Sequence, residues 1–249
     1  MPMTKIQEAA ELIRSSSYTT AFTGAGISVE SGIPPFRGPS GLWDKYDPIV
    51  LDINYFYEHP QESWKVIKEI FYDFFGKANP NDAHYVLARM EKAGLLKNII
   101  TQNIDSLHQK AGSEVVYEFH GSSRNLVCTK CGKKYTVADL DFDHDHIPYF
   151  CPSCGGLIKP DFVFFGEGIP PEAYQQSVEA AEKADVFLVI GTTGEIMPAS
   201  QIPITAKNNG AKIIEVNIEP SNYTDSITDV FLQGKATEVM NALANELNV

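Results

Sequence analysis

The chain has 249 residues, 43% hydrophobic and 21% charged, which suits one well-cored domain carrying a smaller module and excludes a disordered protein. Its 32 Asp and Glu against 20 Lys and Arg leave a formal net charge of -12, so most of the surface repels a phosphate backbone and direct nucleic-acid binding is disfavoured. No apolar run is long enough to span a bilayer and Met1-Pro2-Met3-Thr4-Lys5 leads into no signal-peptide core, so the expected location is cytoplasmic and no membrane partner is expected.

Apolar residues from Ile6 to Ile13 recur at helical spacing and stop at Ser15-Ser16-Ser17. Tyr18 to Thr23 then reads as a short buried strand running into Gly24-Ala25-Gly26. Pro39 to Lys77 breaks the pattern and concentrates aromatics, among them Trp43, Trp64, Phe71 and Phe75. A helix is predicted over Asn81 to Ala93, and a strand over Asn98 to Thr101 that leads into Gln102-Asn103-Ile104-Asp105. A β-like run from Val115 to Phe119 ends at His120-Gly121. Ser122 to Lys159 holds all 4 cysteines. Beyond it come a helix over Pro171 to Lys183, a strand over Asp185 to Ile190 leading into Gly191-Thr192-Thr193, and a helix over Ala199 to Asn208. A strand over Lys212 to Val216 leading into Asn217, and a helix over Ala236 to Leu247, complete the series.

This alternation predicts an α/β fold, a Rossmann-like doubly wound parallel sheet, with ligands at the carboxyl ends of the strands, where the four polar clusters fall. Residues 1–38, 79–121 and 160–249 are expected to form that sheet domain. A helical module, 39–78, and a zinc-binding module, 122–159, are expected to make a smaller domain.

Cys128-Thr129-Lys130-Cys131 and Cys151-Pro152-Ser153-Cys154 are two tight pairs of soft ligands, each followed by a turn-permitting glycine, Gly132 or Gly155. Such pairs close a tetrahedron around one zinc ion, with four thiolates leaving no open position for water, so the zinc is expected to be structural. With every cysteine on metal none remains for a disulfide, as suits a reducing compartment. Asp139 to His146 reads as a solvated loop between the knuckles and receives no function.

Gly24 and Gly26 after a strand suit a backbone that approaches a pyrophosphate closely, or simply a tight turn. A dinucleotide fingerprint wants a third glycine where Val29 stands, and Gly32, Pro34 and Pro35 break the following helix, which disfavours a hydride-transferring dehydrogenase. Asn103 and Asp105 flank Ile104 just past a strand and can enter one crevice; Asp105 also suits a helix cap, and the two roles are compatible. Of the 6 histidines, His120 alone lies at a strand end bordering both expected modules, where a group titrating near neutrality serves as a general base.

Taken together, Gly24 to Gly38, Thr101-Gln102-Asn103-Ile104-Asp105, His120-Gly121, the cysteine pairs, Lys159-Pro160, Phe165-Gly166-Glu167 and Asn217 resemble the sirtuins, NAD-dependent protein lysine deacylases, over nearly the whole chain. The resemblance implies that NAD is consumed rather than reduced, with acyl-lysine proteins as substrates and nicotinamide, O-acyl-ADP-ribose and free lysine as products. It assigns His120 and Asn103 to catalysis. Ala25, Ile33, Ile104 and Asp105 would line the nicotinamide pocket, and Phe36 and Arg37 would belong to the cofactor loop begun by Gly24 and Gly26. Ser28, Gln102 and Asn103 would contact the ribose region. Gly191, Thr192, Thr193, Asn217, Ile218, Glu219 and Ala236 would hold the adenosine half. Val163, Phe165, Gly166, Glu167 and Glu195 would meet the peptide, which adds a strand by main-chain pairing.

Two departures from the family pattern bear on specificity. Gly194-Glu195 stands where an apolar run is usual, either favouring basic residues beside the substrate lysine or simply exposing a carboxylate. Sirtuins that remove acidic acyl groups carry a Tyr and an Arg three residues apart, and an alignment anchored on Trp64 puts Ile67 and Ile70 there, so neutral acyl groups are expected. The competing readings are a mono-ADP-ribosyltransferase using the same site and a non-catalytic zinc-ribbon adaptor.

Overall fold

The computed structural model describes residues 3–36, 41–140 and 146–249. In chain order its first elements are α1 (Lys5–Ser15), β1 (Thr19–Thr23), a 3-10 helix (Ala25–Ser31), α2 (Ile53–Glu58), α3 (Pro60–Ile67), α4 (Asp82–Lys92), β2 (Asn98–Thr101), α5 (Leu107–Lys110) and β3 (Val116–Glu118). There follow β4 (Gly121–Cys128), β5 (Lys134–Thr136), β6 (Ile158–Phe162), α6 (Pro171–Lys183), β7 (Val186–Ile190), α7 (Gln201–Asn208), β8 (Lys212–Asn217), β9 (Val230–Gln233) and α8 (Ala236–Leu247). Local chemistry sets several ends. Thr4 and Gln7 form a reciprocal capping box on α1, and Asn81 with His84 does the same for α4, each satisfying amides that a helix start leaves open.

β1, β2 and β7 are buried along their whole length, as a parallel sheet covered on both faces demands. The 6-stranded sheet runs β3-β2-β1-β7-β8-β9, and every pairing in it is parallel. Against one face Ala9, Ile13, Val86, Met90, Met240 and Leu243 form a core that brings together α1, α4 and α8. Against the other, Ala180, Ala181, Ile202 and Ala206 of α6 and α7 pack on Phe22, Ile100 and Phe187. The order reverses between β1 and β7, the switch point at which sheets of this kind bind their ligands.

A second core lies beyond the sheet. A 3-stranded antiparallel sheet, β5-β4-β6, packs on α2, α3 and a π-helical stretch, Lys68–Phe74. Trp64 sits at its centre, wholly buried, with its indole N–H donating to the Ile158 carbonyl at 2.8 Å and its ring edge-on to Tyr149. Ile67 and Ile70 belong to this core. The π-helical stretch is invisible in the sequence because it shares the apolar spacing of an α-helix.

The switch point is closed by glycine. The Gly26 N–H donates to the Gly191 carbonyl at 2.8 Å, and Gly191 adopts φ +64, where a Cβ would lie 2.4 Å from the Ile27 nitrogen. Gly191→Ala therefore adds backbone strain to a backbone clash. We expect it to destabilise the fold by about 3 kcal/mol, roughly 10 °C in a thermal melt of a chain this size; an unchanged melting temperature would contradict the contact.

Candidate active site and metal centre

The loops leaving β1, β2 and β7 share one hydrogen-bonded network. Asn103 directs both amide hydrogens inward, to the Gly24 carbonyl at 3.1 Å and the Ser28 hydroxyl at 3.2 Å. Ser28, completely buried, spends its own proton on Asp105 Oδ2 at 2.7 Å. Asp105 Oδ1 accepts from the Leu107 N–H at 2.9 Å, so the carboxylate does brace the start of α5 as a cap would. Burial raises its pKa above the usual carboxylate range, opposed by those two donors. Gln102 Nε2 donates to the Thr192 hydroxyl at 3.0 Å, which ties the β2 loop to the β7 loop. The Asn103 carbonyl oxygen Oδ1 makes no bond among the described residues, and is left as an acceptor.

His120 follows β3, the edge strand. Its Nδ1 lies 3.0 Å from the Gln102 carbonyl. A carbonyl can only accept, so Nδ1 carries the proton and Nε2 presents a lone pair. Burial lowers the His120 pKa, opposed by that hydrogen bond, and the ring is therefore neutral near pH 7. Gly121 comes next at φ +74, where a Cβ would lie 2.4 Å from the Asp161 carbonyl; only glycine lets β4 leave His120 against β6.

Beneath these groups lies machinery that the sequence reading missed. Thr23 and Thr101, opposite each other in register, join hydroxyls at 2.9 Å, and Thr101 accepts the Asn103 backbone N–H at 3.1 Å. Thr23 also meets His108 Nε2 at 2.8 Å. The His108 ring packs tilted against that of His84, centroids 4.9 Å apart, and both rings are buried. A threonine ending each of two adjacent parallel strands was the available signal.

The other expected site residues fall as follows. Ala25 and Ile104 are half-buried at the crevice, Ile33 is buried, and Phe36 packs on Trp43 and Phe71. Arg37 lies outside the described residues, as do residues 141–145 of the acidic loop; Asp139 of that loop accepts from Thr136. Gly24 and Gly26 owe their lack of a side chain to Gly191 and Thr192, which a Cβ would strike at 2.6–2.8 Å, so the protein's own backbone, as much as any ligand, requires glycine there. Asn217 spends its side chain on the Thr192 carbonyl and the Ile218 N–H, while Thr193, Ile218 and Glu219 are exposed and Ala236 opens α8. The loop beyond is anchored by Glu215, a buried carboxylate that accepts from the hydroxyls of Ser221, Thr224 and Thr228.

On the peptide side two expectations meet prior engagements. The Phe165 N–H donates to the Leu51 carbonyl and its carbonyl accepts from Ile53, so its main chain is already paired, whereas Gly166 makes no main-chain bond among the described residues. Glu167 turns inward, accepting from the Phe164 N–H at 2.8 Å. Val163 donates its N–H to the His120 carbonyl at 2.8 Å. Gly194 takes φ +73 with Tyr223 against it, and Glu195 is exposed. Ile67 and Ile70 are 0% and 2% exposed, so an arginine at either position would place a charge among apolar side chains.

The four cysteines converge. Their sulfurs lie within 4.8 Å of one another, with Cys128 and Cys154 3.5 Å apart and Cys131 and Cys151 3.8 Å apart. Tetrahedral zinc with bonds of about 2.3 Å needs sulfurs about 3.8 Å apart, so the cluster fits that ion, and these separations are far too long for disulfides. The Tyr135 hydroxyl, 3.0 Å from Cys151 Sγ, is placed to donate to a thiolate there.

Comparison with known proteins agrees with this geometry. The model of the Sir2 family matches residues 24–198. The NAD-dependent protein deacetylase 1 of Pyrobaculum aerophilum is 46% identical over 244 residues, covering 98% of this chain and 95% of that protein. The NAD-dependent protein deacylase 2 of Archaeoglobus fulgidus is 44% identical over 247 residues, covering 98% and 96%. Among solved structures, Sir2Tm bound to a propionylated peptide superposes with a TM-score of 0.87 at 36% identity, covering 98% of each chain. A Sir2 variant holding a deacetylated peptide and 3'-O-acetyl ADP-ribose does so at 0.90 and 37%, again covering 98% of each. The chain belongs to the Sir2, or sirtuin, family.

Two outcomes follow from the buried titratable groups and the cysteines. Burial lowers the pKa of His84 from 6.5 to about 4, and lowers that of His108 well below 6.5. As pH falls through 6.5 the unfolded chain gains protons that the folded one refuses, so stability is full above that pH and declines below it. His84 alone removes about 3 kcal/mol by pH 4, offset in part by Asp105, whose raised pKa works in the opposite sense. Urea unfolding at pH 8, 6 and 5 should show the decline, and stability rising toward acid would contradict it. The purified protein should also hold one zinc, with four sulfurs at about 2.3 Å by X-ray absorption, and Cys151→Ala should lose the metal.

Proposed function

We propose that this protein is an NAD-dependent protein lysine deacylase that moves a neutral acyl group, acetyl or a longer apolar chain, from lysine to ADP-ribose, releasing nicotinamide, O-acyl-ADP-ribose and free lysine. The observation that carries the reading is a pair of open acceptors at neighbouring strand ends, Asn103 Oδ1 and the unprotonated Nε2 of His120. The site residues fit NAD. The Ala25 N–H, first of its turn, has no protein acceptor among the described residues and suits a phosphate oxygen. The Asp105 oxygens keep lone pairs for a carboxamide N–H, and Asn103 keeps one for a ribose hydroxyl.

When bound, NAD supplies a nicotinamide–ribose bond whose cleavage develops positive charge on the sugar. The protein's part is to hold and orient. Asn103 fixes the sugar because its donors are committed to Gly24 and Ser28. Asp105, braced by Ser28 and Leu107, orients the base. His120 accepts a proton from a ribose hydroxyl at Nε2, while the Gln102 carbonyl stabilises the imidazolium through Nδ1–H. Zinc, enclosed by four thiolates, takes no part in these steps and holds the small sheet that fixes the chain after His120.

The division into a sheet domain of residues 1–38, 79–121 and 160–249 and a small domain of 39–78 and 122–159 belongs to this proposal, supported by the separate cores. So does a cytoplasmic location; among the described residues no helix is long and apolar enough to cross a membrane.

The decisive assay gives the protein NAD with acetyl-, myristoyl- and succinyl-lysine peptides and follows the products by mass spectrometry. We expect loss of the neutral acyl groups with nicotinamide release. His120→Ala should lower kcat by about 10²- to 10⁴-fold while keeping stabilisation by NAD. Robust desuccinylation would refute the acyl preference, and peptide gaining ADP-ribose while keeping its acyl group would make the protein a transferase of the other kind.

A further inference from the structure

One buried charge is unused by the chemistry above. Lys159, on β6, is 5% exposed. Its ammonium has three N–H groups and meets three acceptors: the Pro160 carbonyl at 2.8 Å, the Phe162 carbonyl at 2.8 Å and Glu167 Oε2 at 3.1 Å. It also sits 4.5 Å above the Phe164 ring. A lysine is placed this deep only when each of its protons is satisfied and its charge is paired.

The positions of these acceptors matter. The Phe162 carbonyl and the Val163 N–H are two ends of one peptide unit. Lys159 holds the first, and the His120 carbonyl holds the second at 2.8 Å. One rigid amide plane is therefore clamped between the ammonium and the main chain of the proposed base. On the other side, the Glu167 oxygen that meets Lys159 also accepts the Phe164 N–H at 2.8 Å, which folds the Phe164–Glu167 turn back on β6 and leaves the Gly166 main chain open.

We propose that Lys159 is a positioning residue, setting through one ammonium both the height of His120 and the shape of the turn that receives the acyl-lysine peptide. It touches neither substrate nor cofactor. The pairing of its three protons requires a tetrahedral donor, so arginine, planar and larger, does not replace it. This inference rests on the deacylase reading.

The test compares wild type, Lys159→Met, Lys159→Arg and Glu167→Gln, each with zinc bound, in steady-state deacetylation with NAD and peptide varied separately. NAD affinity is read independently from thermal stabilisation. Lys159→Met should raise the peptide KM and lower kcat, with kcat/KM for peptide down about tenfold or more, because two carbonyls and a carboxylate lose their donor. NAD stabilisation should stay within about twofold in affinity. Lys159→Arg should not restore activity, and Glu167→Gln, which keeps an acceptor for Phe164 but loses the charge, should fall between. If Lys159→Met does not fold, the Glu167→Gln split between peptide and NAD decides alone. Equal losses toward peptide and NAD, or none, would overturn the inference. Inactive wild type would instead refute the deacylase reading.

Discussion

The close approach of two strand ends at the switch point is the constraint on which the site depends. β1 and β7 are neighbours whose exits part to opposite sides, and the loops can cross only because Gly24, Gly26 and Gly191 bring backbone against backbone without side chains. That contact puts the Asn103 amide within reach of the Gly24 carbonyl, and Gln102 within reach of Thr192. From there the geometry propagates by exhausting donors. Ser28 has one proton and gives it to Asp105; Asn103 has two amide protons and gives both to the protein, which leaves its Oδ1 as an uncommitted acceptor.

The same logic fixes the protonation of His120. A histidine near a crevice has two tautomers, and the Gln102 carbonyl removes the choice. Because Gln102 also reaches Thr192, one residue braces both His120 and the β7 loop. The small sheet contributes from the far side, where Gly121, Val163 and Lys159 fasten the main chain around His120.

Much of this was legible in the sequence. The long helices and the buried strands announced themselves by period and by flanking glycines; α6 and α8 came out over the expected spans. The cysteine spacing specified its cluster outright, because few arrangements of two such pairs satisfy a metal. Less visible was anything decided by a partner distant in sequence. β9 is 4 residues long and has no strong period. The π-helical stretch keeps an α-like pattern. The glycines of the loop suited a phosphate or a tight turn, but that Gly191 would be their immediate neighbour was not legible. Phe165 looked free to pair with a peptide until the Leu51–Ile53 segment occupied its main chain, and the burial of Ile67 and Ile70 in the second core depends on partners far away in the chain. Thr23, Thr101 and His108 were passed over because a threonine at each strand end hints at a hydroxyl pair, but only the register makes the two partners.

The carboxylate of Glu215 carries a different lesson. It is enclosed by serine and threonine hydroxyls, all supplied by a stretch that begins at Ser221 and ends at Thr228, and Tyr223 within that stretch packs against Gly194 and donates to the Ser200 carbonyl. An anion solvated by alcohol groups instead of a cation has no counter-charge for dissolved electrolyte to compete with. The loop after β8 is thus fastened in a way that brine leaves alone, even though the molecule as a whole is strongly acidic and its surface ion pairs are open to screening.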